Sequence, residues 1–409
     1  MQSLLKISQQ TAWQILGKIV TSLSTFIILG LVARNYGEEG TGIFTLALTY
    51  LAIFYLLSDF GFNAHVLKKV TGYPSTGLGA GRLQVTDEWQ KLLGTRIVWS
   101  GVLVALAVGL LPFWPFATEE FSQSVIFGSL AIIGAGVFVT CNLIFQSKLR
   151  YDLSVLASSV GTLFSLMVFA ALIMQRFPTP FLLLAHLLGW MVVALLALIL
   201  NRRISKTISP IFDKQYMIGL FKDSWPIAAT LALNVVYFRA DSFMISYFRS
   251  NSEVGIYNVA YSVFQSALVL PTFILNAYYP LMLRSFSGIK LIGLGLLGLA
   301  SMGTLLTIIL SPSIINILTG EGFMGSTQSL KILSLGFPAY YLSALFMWIF
   351  ISKGGYSKML IIYALGLVFN LVLNLLYIPK FSFIAASWIT VVSEYLILAM
   401  LAVVLWRNR

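Results

Sequence analysis

Stretches of twenty or more mostly apolar residues recur along this chain, broken by short polar segments. An α-helix rises ~1.5 Å per residue, so about 20 apolar residues cross a ~30 Å hydrocarbon core. The runs at 11–34, 41–63, 92–111, 122–146, 153–175, 180–200, 218–246, 254–280, 289–311, 328–351, 358–378 and 384–406 therefore predict twelve membrane-spanning helices. Strands of a membrane barrel would instead alternate in segments of about 10 residues. The fold class expected is an all-α polytopic membrane protein. The first run is too long for the apolar core of a secretory leader and has no small-x-small cleavage site behind it, so it reads as a retained helix.

Polar side chains interrupt these runs at helical spacing. Positions three and four apart share a helix face. Thr11, Gln14, Lys18, Thr21 and Thr25 form such a stripe in the first helix, and Thr45, Thr49, Asp59 and Asn63 in the second. Thr230, Asn234 and Asp241 mark the seventh; Asn258, Ser262, Gln265, Thr272 and Asn276 mark the eighth. Polar faces avoid lipid and either pack inside the bundle or line a wet cavity. Helices one, two, seven and eight are thus expected to line a cleft. Hydrogen bonding between helices is the plainer account for the uncharged members. It suffices for the weaker stripes of helix five (Ser154, Ser158, Ser165) and helix eleven (Tyr363, Asn370, Asn374).

Composition agrees with the pattern: the 409 residues are 58% hydrophobic and only 10% charged, against about a quarter charged in soluble domains. The net charge of +12 could point to nucleic acid, but the placement of the basic residues says otherwise. With the N-terminus inside, the cytoplasmic side holds all of the 26 Lys and Arg residues except Arg34, Arg176, Arg239, Arg249, Lys331 and Lys380. This positive-inside bias puts both termini in the cytoplasm and accounts for the charge without nucleic acid. Cys141 is the single cysteine, which leaves no intrachain disulfide and no Cys-based metal site. The string Gly77-Leu78-Gly79-Ala80-Gly81 lacks the preceding strand and the Lys-Ser/Thr ending of a phosphate-binding loop, so it reads as a cytoplasmic loop.

The chain also repeats itself. Gly42-Ile43-Phe44-Thr45-Leu46-Ala47 matches Gly255-Ile256-Tyr257-Asn258-Val259-Ala260 at a shift of 213 residues. Ser147-Lys148-Leu149-Arg150-Tyr151 matches Ser352-Lys353-Gly354-Gly355-Tyr356 at a shift of 205. Both halves begin on the same side, so the repeats are parallel and relate by an axis along the membrane normal. The expected organisation is two six-helix lobes, 1–204 and 205–409, with a central cleft.

Charges inside the spans are sharper signals, because each costs at least about 2.5 kcal/mol in a membrane. Lys18 lies about two turns into the first helix, and Arg34 ends it. Asp59 sits near the inner end of the second. Arg239 and Asp241 lie in the outer half of the seventh, pointing to nearly opposite sides. Glu394 lies near the middle of the twelfth. Arg96 and Arg284 lie near inner helix ends, where a long side chain can reach the interface. His186 is expected to be packed or hydrogen-bonded.

The string Ala33-Arg34-Asn35-Tyr36-Gly37-Glu38-Glu39-Gly40-Thr41-Gly42-Ile43-Phe44 resembles the first-loop motif of polysaccharide exporters in the multidrug/oligosaccharidyl-lipid/polysaccharide (MOP) superfamily. Ser58-Asp59-Phe60-Gly61-Phe62 resembles their helix 2 ending. Arg239-Ala240-Asp241-Ser242 through Glu253-Val254-Gly255-Ile256-Tyr257-Asn258-Val259-Ala260 resembles their helix 7–8 signature. The resemblance spans the whole chain, although the stretch 72–90 is longer than the family's usual connection. It implies a V-shaped, MATE-like fold and a Wzx-type flippase. Such a protein moves undecaprenyl-pyrophosphate-linked oligosaccharide from the inner to the outer leaflet of the cytoplasmic membrane by alternating access. By motif it carries Arg34, Asp59, Arg239 and Asp241 onto this sequence; Lys18 comes from its stripe. The expected substrate-binding residues are Lys18, Arg34, Arg239, Asn234, Gln265 and Arg284. Asp59, Asp241 and Glu394 are expected to couple H⁺ or Na⁺, with no other cofactor, no metal and no catalytic residue. Expected partners are the lipid-linked oligosaccharide, the bilayer and other polysaccharide-assembly membrane proteins. A multidrug exporter of the same fold is the nearest rival, but basic residues suit an anionic head group better than a cationic drug. A glycan polymerase or ligase would need a large outward catalytic loop, whereas Glu38-Glu39 and Glu119-Glu120 sit in short ones.

Overall fold

The computed structural model describes residues 2–71, 80–114, 117–204, 209–282, 285–286, 288–353 and 355–407. Among these residues it is all helix, with no strand. The first half of the chain forms α1 (Gln2–Asp59), α2 (Phe62–Thr71), α3 (Ala80–Gly109), α4 (Glu119–Ser129), α5 (Ala131–Ser147), α6 (Tyr151–Met174) and α7 (Thr179–Arg202). The second forms α8 (Lys214–Phe248), α9 (Asn251–Ala267), α10 (Val269–Met282), α11 (Ile289–Thr319), α12 (Met324–Ser334), α13 (Phe337–Ser352) and α14 (Tyr356–Arg407).

Each of the twelve apolar runs falls on helix. Among the described residues, eight helices are long and apolar enough to cross a membrane, or nine if α12 and α13, bent by 45°, form one span. This makes the chain a multi-pass membrane protein. The smaller number arises partly because α1 and α14 are each continuous by hydrogen bonding yet broken by a left-handed residue. The breaks are at Gly37 (φ 63°) and Ser382 (φ 52°). The apolar parts of these two helices run 48 and 50 residues, enough for two crossings each at ~1.5 Å per residue. In α8 only residues 224–238 lie between the charges of Asp223 and Arg239, so its apolar stretch is short.

The duplication is built into the backbone. At the 205-residue shift, the start and end of α4 fall on those of α12, the end of α5 on that of α13, and the start of α6 on that of α14. The closing turns repeat bond for bond. Lys148 N donates to Ile144 O (3.2 Å) and Arg150 N to Phe145 O (2.8 Å); Lys353 N donates to Ile349 O (3.1 Å) and Gly355 N to Phe350 O (2.8 Å). The six-residue closure is the helix-ending motif that needs a left-handed residue. Leu149 supplies it (φ 52°).

By compactness the chain divides into two units that do not follow a single cut in the sequence. Unit one is Met1–Leu31 with Leu46–Phe238, and unit two is Val32–Thr45 with Arg239–Arg409. In unit one, Leu93, Val137, Cys141, Phe145, Ala157 and Ala197 form one core. Phe62, Val66, Trp89, Leu92, Leu143, Ile144 and Leu220 form another. Small residues let α6 and α7 approach closely: a Cβ on Gly161 would press on Val193 and one on Gly189 on Ser165. The segment leading into α8 docks on α3, where Ile211 N donates to Gln90 O (3.0 Å) and Lys91 bridges to Asp213 (3.3 Å). Asp213, outside the spans, accepts from the backbone N–H of Tyr216 and lies beside Lys91, which together hold its carboxyl below the usual range. In unit two, Tyr257 stacks on Tyr261 and Phe264 on Phe337, with Tyr261 and Phe264 tilted against each other, along α9 and α13.

Segment 32–45 belongs to unit two because of its glycine. A Cβ on Gly42 would collide with the Asn251 carbonyl and lie 3.1 Å from the Gly255 nitrogen. A Cβ on Gly255 would collide with the Glu38 carbonyl and lie 2.9 Å from the Gly42 nitrogen. Glu38 and Asn251, like Gly42 and Gly255, are equivalent at the 213-residue shift, so the two repeat-equivalent helix starts cross each other about a local two-fold. Thr45 and Asn258, also equivalent, are joined by a hydrogen bond of 3.0 Å.

Candidate functional site

Helix α8 enters unit two at Arg239, followed by buried Asp241 and Ser242. The crossing α9 is capped by Ser250, whose Oγ accepts from Glu253 N (3.3 Å). It faces α8 with Tyr257, Asn258 and Tyr261. The Tyr257 hydroxyl donates to Asp241 Oδ2, and Asp241 Oδ1 accepts from the Ser242 backbone N–H (2.8 Å). Ser242 Oγ donates to Asn258 Oδ1 (2.8 Å), and Asn258 Nδ2 donates to Thr45 Oγ1 (3.0 Å). On α14, Thr390 Oγ1 lies 3.5 Å from the Tyr257 hydroxyl. One turn further, Glu394 accepts from Ser343 Oγ of α13. Asp241 is 5% and Glu394 3% exposed. Tyr261 stacks on Tyr257 (centroids 5.4 Å apart) within electrostatic reach of Asp241, Arg239 and Glu394.

Arg239 is half-buried and makes no hydrogen bond or ion pair among the described residues. A guanidinium in this setting can take two oxygens of a phosphate or carboxylate at once. The buried carboxyls, each met by a hydroxyl donor, have the chemistry to hold a proton or a small cation.

A second polar centre lies in unit one. Arg96 of α3 is 0% exposed. Its Nη2 donates to Asp59 Oδ1 (2.7 Å) and Asn63 Oδ1 (2.9 Å), and its Nη1 to Thr140 Oγ1 (3.1 Å). Reach to the interface does not describe this residue: its guanidinium is buried because three helices aim acceptors at it. The left-handed pair Phe60 (φ 47°) and Gly61 (φ 77°) turns the chain sharply from α1 into α2, so that Asp59 and Asn63 meet the same group. A Cβ on Gly61 would also strike Ile227. The Asp59 carboxylate is thereby committed to Arg96, a partner that helix spacing within one segment does not reveal.

Arg34 is exposed, and its guanidinium donates to Ile317 O and Leu318 O at the end of α11. Those terminal carbonyls have no partner within their own helix and carry its negative end, so Arg34 serves there as a cap. Lys18 is exposed on α1. The hydroxyls around it turn inward on their own helix, Thr21 to Gly17 O (2.9 Å) and Thr25 to Thr21 O (2.9 Å). The same back-bonding satisfies Ser262 and Ser266 on α9. Gln265 is half-buried, and its amide has no partner among the described residues. Arg284 and the side chain of Asn234 lie outside the described residues. His186 is packed as the sequence suggests, its Nε2 2.9 Å from the Tyr55 hydroxyl.

A family model described as polysaccharide biosynthesis protein matches residues 7–286. No curated protein matches the chain. Among solved structures, the lipid II flippase MurJ in an inward closed conformation aligns with 96% of this chain and 87% of its own, with a TM-score of 0.76 at 14% identity. An inward-facing multidrug resistance MATE family transporter of the MOP superfamily aligns with 94% of this chain and 93% of its own, with a TM-score of 0.66 at 13% identity. A MOP superfamily transporter from Pyrococcus furiosus, described by the reverse polarity of its binding pocket, aligns with 98% and 94%, with a TM-score of 0.61 at 12% identity. At such identities the likeness is one of fold.

Proposed function

This chain belongs to the polysaccharide biosynthesis protein family, and from that premise we propose that it is a flippase for a saccharide linked to an anionic lipid carrier. The match over residues 7–286 carries this reading. The fold shared with a flippase named for lipid II, itself a lipid-linked substrate, supports the same class of cargo. The cargo is an oligosaccharide on undecaprenyl pyrophosphate, moved from the inner to the outer leaflet of the cytoplasmic membrane by alternating access, with both termini inside. Arg239, whose guanidinium makes no hydrogen bond or ion pair among the described residues, meets the pyrophosphate. Lys18 adds a second cation, and Gln265 an amide that has no partner among the described residues, for the sugar. Asp241 and Glu394 are the carboxyls we assign to H⁺ or Na⁺ coupling, since each is buried and already met by a hydroxyl donor.

The test is export in cells. A lost hydrogen bond to a charged group costs about 1.5–3 kcal/mol, or roughly 10- to 100-fold. Arg239→Ala and Lys18→Ala should therefore abolish most surface glycan, with lipid-linked intermediate accumulating in the inner leaflet and membrane insertion unchanged. Full export by both variants would reject the assignment.

A further inference from the structure

On unit two, α11, α13 and the end of α14 enclose an open groove of about 730 Å³ whose described lining residues include none of those assigned to the cargo or to ion coupling. Its walls are apolar, including Leu294, Leu297, Leu345, Phe346, Ile349 and Leu405. Gly293 leaves the floor without a side chain; a Cβ there would approach Leu345 to 3.3 Å. Among the described residues, the charges on the groove are two ammonium groups at one end: Lys290 in the first turn of α11 and Lys353 just beyond α13. Lys290 makes no hydrogen bond or ion pair among the described residues. Lys353 lies 5.5 Å from the centre of the Phe286 ring. Trp406, at the same end, is 75% exposed, as suits a ring at a membrane–water interface.

These features belong together. Two cations, one on α11 and one just beyond α13, line the end where the aromatic rings sit, and the apolar channel runs away from them along three helices. A soluble anion would use the lysines and leave the channel empty; a neutral hydrocarbon would do the reverse. A zwitterionic head group would bring its own cation against Lys290 and Lys353. We propose that this groove binds a glycerophospholipid with a net negative head group, its phosphate between Lys290 and Lys353 and an acyl chain along Leu294, Leu297 and Leu345. Basic pockets between spans on the cytoplasmic side recognise anionic lipids in this way.

The test is native mass spectrometry of the full-length protein in detergent with dioleoyl phosphatidylglycerol, dioleoyl phosphatidylcholine and a polyprenyl phosphate. Phosphatidylglycerol should be retained about 10-fold more tightly than phosphatidylcholine. Lys290→Ala with Lys353→Ala should erase that preference. Arg202→Ala with Arg203→Ala, which removes the same charge from exposed positions of unit one, should leave it intact. Equal retention of the two phospholipids by the unaltered protein would overturn the proposal. So would an equal loss in the Arg202/Arg203 control, or displacement of phosphatidylglycerol by equimolar polyprenyl phosphate, which would assign the groove to the carrier lipid.

Discussion

Replacing Asp59 by leucine would leave Arg96 charged in a place it cannot leave. The Arg96 side chain is 0% exposed and that of Asp59 29%. After the change, the guanidinium keeps only neutral acceptors, Asn63 and Thr140. Removing one partner of a buried ion pair costs about 3–5 kcal/mol. The partial exposure of Asp59 and the two surviving bonds put this case at the low end, about 3 kcal/mol, a shift of roughly 100-fold in the folded population. Replacing both members by apolar residues is often neutral, because no charge is then left in the interior. Asp59→Leu with Arg96→Met should therefore recover to within about 1 kcal/mol of the unaltered protein. The assay is thermal unfolding in detergent of the four proteins of a double-mutant cycle. Asp59→Leu melting with the unaltered protein, or the double variant melting no higher than Asp59→Leu, would refute the pairing energetics. Export by the double variant then answers a separate question: if it folds but does not transport, the Asp59 carboxylate acts beyond its pairing.

Gly42→Ala and Gly255→Ala should each cost about 2 kcal/mol or more, since each Cβ meets a backbone carbonyl rather than a movable side chain. Combined, they should cost less than their sum, because either one opens the same crossing; unfolding midpoints measure this. Asp241→Leu with Tyr257→Phe removes both ends of one buried hydrogen bond and should keep stability within about 1 kcal/mol, while export fails. Retained export would remove Asp241 from the coupling role. Arg34→Ala should weaken the end of α11 by about 0.3–1 kcal/mol, read as faster amide exchange over residues 316–320 with little change elsewhere.

The helices were legible because apolar runs of spanning length leave the backbone no alternative: in lipid its polar groups must pair within the segment. The turn after α5 was legible as well, since Ser147-Lys148-Leu149-Arg150-Tyr151 recurs at the matching place in the second half. The fusions at Gly37 and Ser382 were not, because a single left-handed residue leaves the apolar pattern on either side unchanged. The partner of Arg96 was hidden for a different reason. Helical spacing reports what shares a face of one segment, whereas Asp59, Asn63 and Thr140 come from α1, α2 and α5. Arg34 is the extreme case: it caps carbonyls 283 and 284 residues away. The stripes were legible as sequence spacing alone. Their hydroxyls, however, mostly bond one turn back on their own helix, an outlet that spacing does not distinguish from a wet lining.

The duplication supplies a control that the site itself lacks. At the shifts that align the two halves, the first-half counterparts of Asp241, Tyr257, Ser343, Thr390 and Glu394 are Ile28, Phe44, Phe138, Ala185 and Gly189. Each of these five is matched by a residue with no polar side-chain atom, whereas Asn258 is matched by Thr45, to which it bonds. The same backbone plan therefore forms without hydroxyls or carboxyls at these depths, so the fold does not require them. Buried carboxyls are unfavourable unless well bonded, and here the bonding partners Tyr257 and Ser343 occur only in the copy that carries the acids. A cost confined to one of two equivalent scaffolds is better explained by chemistry than by folding. The first copy places its own buried charge elsewhere and neutralises it, Arg96 against Asp59. The second leaves Arg239 without an ion-pair partner among the described residues, within electrostatic reach of the buried Asp241. The halves thus share an architecture but divide the electrostatics, and Arg239 lies in the unit that buries Asp241 and Glu394.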